Sequence, residues 1–226
     1  MSEPHGVAYA ALRGRVRAMV SEIEAADAAA LARDVPATPA WSAHDVLAHM
    51  VGVTDDVVSG RLEGLASDAW TQAQVDARAR VATPDLLAEW DERAPQFEAM
   101  LSAAPAEIAG QALFDAATHE HDLRNALGAP GARDSDAIAT GWEWIVGARI
   151  RGGAPAICFV ADGEEMVAGT GDVVARIGAS RFELFRAVSG RRTFDEIAAY
   201  DWDRAPVPSL LIAADFFTMA ERPLGE

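Results

Sequence analysis

Lysine is absent from the 226 residues, and cysteine occurs once, as Cys158. Without lysine there can be no Schiff-base catalysis and no lysine of a phosphate-binding loop. A single cysteine permits neither an intrachain disulfide nor a cysteine-based zinc finger. No apolar run approaches the roughly 18 to 20 residues that a membrane-spanning helix needs. Positive charge is also scarce: 19 arginines face 35 acidic residues, a formal net charge of −16. Such a chain repels phosphate backbones and anionic lipid unless it gathers a local basic patch, and its only adjacent basic pair is Arg191-Arg192. Nucleic acid and membrane surfaces are therefore not expected partners. The opening MSEPHGVAYAALRGR has no basic segment leading into an apolar one, so the expected location is the cytoplasm.

What is present is apolar surface, half of all residues, enough for one large domain or two modest ones. Up to about residue 128 the chain is rich in Ala, Leu, Glu and Arg. The spacing predicts helices roughly over 6–32, 42–62, 69–80, 84–103 and 107–127, four of them forming a bundle. Gly128-Ala129-Pro130-Gly131 reads as a helix stop, dividing the chain into an N-terminal domain, 1–130, and a C-terminal one, 131–226. The second domain opens with a short helix around 138–149. Its apolar segments 156–161 and 165–168 flank Asp162-Gly163 as a hairpin, 172–177 supplies a third strand, and helical patterns follow at about 179–189, 193–199 and 206–218. The expected class is α+β, a helical bundle followed by a smaller α+β unit.

Within the bundle, Ser42 and Asp45 have the spacing of a capping box and set the phase of the second helix. Its apolar stripe is Val46, Met50, Val53 and Val57, with His49 on the flank. His44 falls in the capping turn, toward solvent. On the last bundle helix Ile108, Ala112, Ala116, Leu123 and Leu127 define the buried side. His119 lies within that side, Asp115 one turn before it on the same face, and His121 points about 160° away. Asp122, three residues after His119, is placed to hold its second ring nitrogen. Spacing leaves two readings open: histidines at a core edge beside a solvated aspartate, or His49, Asp115 and His119 as ligands of one divalent ion with open positions.

Four segments read together carry a resemblance: Pro39-Ala40-Trp41-Ser42-Ala43-His44-Asp45-Val46-Leu47-Ala48-His49, Trp70-Thr71-Gln72-Ala73-Gln74-Val75-Asp76-Ala77-Arg78, Leu87-Ala88-Glu89-Trp90, and Asp115-Ala116-Ala117-Thr118-His119-Glu120-His121-Asp122-Leu123-Arg124. Together with Ser189-Gly190-Arg191-Arg192-Thr193 and Tyr200-Asp201-Trp202 they resemble the mycothiol-dependent maleylpyruvate isomerase family. The resemblance implies a DinB-like up-down four-helix bundle and zinc, or another divalent metal, on His49, Asp115 and His119. The acid is commonly glutamate in that family and is aspartate here. It also implies mycothiol as the thiol cosubstrate and an electrophilic small molecule as its partner, with S-conjugation or cis-trans isomerisation as the outcome. Cys158, in an apolar strand, reads as a core residue and leaves the nucleophilic sulfur to an external thiol.

Further candidates follow from spacing. Trp70, Gln74 and Arg78 form an i, i+4, i+8 stripe that either lines a substrate pocket or is an amphipathic edge. Arg192, with Arg191, is either a catalytic cation for a carboxylate or enolate or part of a solvated basic pair. Trp41, Trp90 and Trp202 read as packing residues. Two other classes remain: a non-catalytic metal-binding or regulatory module acting through a protein partner, and a carrier, because the C-terminal part of the resembled family looks like sterol-carrier folds.

Overall fold

The computed structural model describes residues 5–212 and 217–226, and its chain divides into two compact units. The first comprises residues through Ala109 together with His119–Gly131; the second comprises Gly110–Thr118 and everything from Ala132. The last helix of the first unit is thus shared along its length.

The first unit is built on α1 (His5–Ala26), α2 (Ala43–Ser59), α3 (Asp68–Arg78), α4 (Thr83–Ala103) and the parts of α5 (Ala106–Leu127) that belong to it. Helix α1 stops earlier than the 6–32 expected from composition. Asp27 ends it by accepting a hydrogen bond at Oδ1 from the Ala29 amide at 3.0 Å, a local side-chain bond that competes with the helix. A 3-10 turn at Ala30–Ala32 follows. Next comes a short antiparallel hairpin, β1 (Asp34–Val35) and β2 (Thr38–Ser42), which the sequence reading did not anticipate.

The bundle interior contains a polar knot. Trp90 Nε1 donates to Tyr9 Oη and to Thr54 Oγ1, both at 3.1 Å, and the two hydroxyls lie 2.8 Å apart. This joins α1, α2 and α4, and all three residues are buried. Leaving one such group unpaired costs about 1–3 kcal/mol, so the knot specifies which helix faces which. Fully buried Glu120 does the same between α1 and α5. It accepts a bidentate pair from Arg15 at 2.9 and 2.7 Å and further bonds from Arg124 at 3.1 and 3.0 Å. One expectation for α5 fails: Ile108 is 61% exposed, because the buried face begins only with Ala109 and Leu113.

The second unit holds α6 (Asp136–Arg151), β3 (Pro155–Ala161), β4 (Glu164–Ala168), β5 (Thr170–Ala179), α7 (Arg181–Val188), α8 (Phe194–Ala198) and β6 (Asp201–Trp202), in sheet order β4-β3-β5-β6. Strands β3 and β4 form the antiparallel hairpin read from Asp162-Gly163, whose φ values are both positive, 52° and 87°. Strand β5 then pairs with β3 in parallel, on its other side. Crossing the start of β3 so tightly requires Gly169, at φ +118°, where a side chain would overlap the Pro155 and Ala154 carbonyl oxygens. Ile157, Phe159 and Ala161 face the core while Cys158 lies half-buried on the opposite face, so the lone thiol is not the core residue expected. Of the helix expected at about 206–218, residues 213–216 lie outside the described residues, and Pro208–Leu210 forms a 3-10 turn.

Candidate metal centre

The geometry of α2 begins with its cap. Ser42 Oγ accepts from the Asp45 amide at 3.2 Å, and Asp45 Oδ2 accepts in return from the Ser42 amide at 2.9 Å. With the first turn fixed, His49 is carried inward and is 3% exposed. On α5, Asp115 is half-buried and His119 buried, one helical turn apart. Each of His49, Asp115 and His119 offers a ligand atom, and these atoms all lie within 4.8 Å of one another. Because Asp115 and His119 ride on one unbroken helix, their relation is a property of α5 itself.

The two imidazoles meet edge to face, ring centroids 4.9 Å apart. Trp41, on β2, lies 5.4 Å from the His49 ring and 6.3 Å from the His119 ring. The sequence reading made Trp41 a packing residue; the unanticipated hairpin brings it against both histidines. Two imidazole nitrogens and one carboxylate oxygen form a donor set suited to zinc or another divalent ion of similar preference, with positions left for an outside ligand.

Both histidines have partners behind them. The His119 Nδ1 lies 3.2 Å from Oδ2 of fully buried Asp122. His49 Nδ1 lies 2.9 Å from Gln74 Oε1, and Gln74 Nε2 donates to Asp56 Oδ2 at 2.7 Å.

The stripe Trp70, Gln74 and Arg78 borders a cleft of about 750 Å³ shared with Asp55, Asp56, Arg61 and Glu89. Its three members have separate tasks. Trp70 Nε1 donates to the Arg61 carbonyl oxygen at 2.9 Å, Gln74 turns to His49, and Arg78 is bonded to Glu89 and, at 3.2 Å, to Asp55. Burial pushes the Asp55 carboxyl upward, yet the Arg61 hydrogen bond and the charges of Arg61, Arg93 and Arg78 together hold it below its ordinary value.

His44 is not solvated as expected: its Nε2 donates to the Val81 carbonyl oxygen at 2.8 Å. His121 is buried and is not a member of the ligand cluster. Arg192 is not a solvated cation either. It is 5% exposed, donates to Glu183 at 2.7 and 2.9 Å and to Glu226 at 2.7 Å, and lies over the Phe182 ring. Burial opposes its charge, but these two carboxylates outweigh it and raise its pKa. A catalytic role for Arg192 would require it to leave these partners.

Residues 9–113 match the family model of the mycothiol maleylpyruvate isomerase N-terminal domain. The match takes in Trp41, His49 and the Trp70 to Arg78 stripe and ends at Leu113, short of Asp115 and His119. No curated protein and no solved structure matches the chain.

Proposed function

Because the chain belongs, through residues 9–113, to the mycothiol maleylpyruvate isomerase N-terminal domain family, we propose that it is a metal-dependent enzyme using mycothiol to attack an electrophilic small molecule. The observation that carries this reading is the convergence of His49, Asp115 and His119 within 4.8 Å. A divalent ion held by these three would keep a thiol sulfur as thiolate, the nucleophilic form, at neutral pH. Around it the chain's own groups have defined tasks. Asp115 contributes the single negative charge, Gln74 and Asp122 hold the two rings, and Trp41 covers them with an aromatic wall that limits water. No cysteine is among the clustered groups, so the sulfur comes from outside.

Addition of the thiol sulfur to an electrophilic carbon has two outcomes. Retained, the new carbon–sulfur bond gives an S-conjugate. Expelled after rotation about the former double bond, the sulfur leaves a trans product and the thiol is regenerated, as for a maleylpyruvate-like substrate. A purely structural ion would ordinarily take four protein ligands, and three are clustered here.

The test is metal analysis of the purified protein and of His49→Ala, with mycothiol-dependent turnover measured alongside. Stoichiometric zinc in the wild type, lost with turnover in the variant, is expected. Equal, substoichiometric metal in both would remove the site. Thermal stabilisation by mycothiol only in the metal-loaded protein would mark the thiol as a ligand of the ion.

A further inference from the structure

Asp56 contributes no atom to the ligand cluster, yet we infer that it acts through Gln74 to set which nitrogen of His49 carries the proton. Asp56 and Gln74 are positioning residues that hold the imidazole as the Nδ1-protonated tautomer and so present the Nε2 lone pair.

The argument needs only the donor and acceptor inventory of the side chains. Arg61 Nε donates to Asp56 Oδ1 at 2.7 Å, pairing the carboxylate with a guanidinium. A carboxylate oxygen only accepts, so the Gln74 group 2.7 Å from Asp56 Oδ2 is the amide nitrogen. The opposite end of the same amide, its oxygen, then faces His49 Nδ1 at 2.9 Å. An amide oxygen also only accepts, so the proton lies on Nδ1. Arg61, Asp56, Gln74 and His49 form a chain whose bonds converge on Asp56, which accepts from Arg61 on one side and from Gln74 on the other, while Gln74 in turn accepts from His49. Burial keeps water from substituting: Gln74, Asp56 and His49 are 2%, 8% and 3% exposed. On α5 a carboxylate, Asp122, sits directly behind His119 Nδ1, whereas the relay from α3 does the same for His49 through an amide.

The sense of the two bonds between position 56 and His49 should be reversible. In Asp56→Asn, Arg61 still requires an acceptor, so the new amide nitrogen faces Gln74. Donor would meet donor, and the Gln74 amide turns over. Its NH2 then points at His49, whose Nδ1 must accept and whose proton moves to Nε2, the nitrogen an ion would need. Adding Gln74→Glu restores the original sense, because a carboxylate at position 74 accepts both from the new amide at position 56 and from His49. The double variant keeps the same side-chain sizes and the same net charge.

The consequence for metal affinity rests on the proposed metal site; the tautomer does not. Nitrogen-15 spectra of the imidazoles in metal-free protein at about pH 8, above the ordinary histidine range, report the tautomer, with the His49 signals assigned by their absence in His49→Gln. Competition with a chromophoric chelator reports zinc affinity. Expected are Nδ1–H in the wild type, a switch to Nε2–H in D56N with zinc binding weakened about 10- to 100-fold, and recovery of both in D56N/Q74E. If D56N keeps the wild-type tautomer and affinity, or the double variant is no better than D56N while all retain the same helical circular dichroism, the relay is wrong. A tautomer that switches in a protein binding no zinc at all would uphold the relay and overturn the metal reading instead.

Discussion

Gly52 lies on α2 three residues after His49, and replacing it by alanine sets two effects of known size against each other. In a helix interior, alanine is favoured over glycine by about 0.8–1 kcal/mol. Gly14, on α1, shows that term alone, since a Cβ there would meet nothing within 4 Å. A Cβ on Gly52 would lie 2.5 Å from Gln74 Cβ, 2.8 Å from its Cγ and 3.1 Å from Arg78 Nη1. The first contact is with an atom anchored to the α3 backbone, so a rotamer change cannot relieve it and α3 must retreat. Forcing a methyl group into such a contact costs about 1–3 kcal/mol, which exceeds the propensity gain. Gly52→Ala is therefore expected to lose about 1 kcal/mol of stability in denaturant unfolding, while Gly14→Ala gains up to about the same. As α3 moves, the 2.9 Å bond from His49 to Gln74 lengthens, and zinc affinity should fall with it. A Gly52→Ala protein stabilised as much as Gly14→Ala, with unchanged zinc affinity, would show that α3 has room and that its packing on α2 does not hold His49.

Two other perturbations probe separate features. Asp115→Asn preserves size but removes the only charge in the ligand set, so its zinc affinity should fall by more than the roughly 10- to 100-fold typical of outer partners, whereas Asp115→Glu should retain binding; equal affinities for wild type and Asp115→Asn would exclude Asp115 as a ligand. In the second unit, burial raises the Glu183 carboxyl, but hydrogen bonds from Arg192 and Tyr200 and the charges of Arg192 and Arg133 bring it below its ordinary value. A folded-state pKa below the unfolded one contributes stability that is present above the unfolded value and is lost as pH falls through the folded one. The Tm advantage of wild type over Glu183→Gln should thus be constant near neutrality and shrink below about pH 4; an advantage that grew on acidification would contradict the Arg192 pairing.

Chemistry confined to one helix or one turn was legible in the sequence. The Ser42 and Asp45 cap, the one-turn spacing of Asp115 and His119, the reach of Asp122 and the Asp162-Gly163 turn all depend on local backbone geometry, which a short run of residues specifies. Several features depended on which surface met another. Trp41 read as packing until a hairpin set it beside two histidines. Ile108 fitted the α5 periodicity, but a period gives the spacing of a face and not where its covering neighbour ends. Cys158 alternates with Ile157 and Phe159, and only the packed sheet showed which set faces the core. Strand β5 was legible as a strand, but its parallel pairing with β3 depended on the tight crossing at Gly169.

The sequence by itself thus determined the two-part organisation of helices followed by strands, and the placing of Asp115 and His119 one turn apart on a single helix, because helical period and capping are local and repeat every few residues. Tertiary structure decided what those residues do to one another. The Trp70, Gln74 and Arg78 stripe looked like one surface with one task. Packed against α2 and α4 it separates into a cleft-lining indole, a relay to His49 and a carboxylate-bound cation, since hydrogen-bond partners from other helices are assigned by packing and not by spacing along the chain.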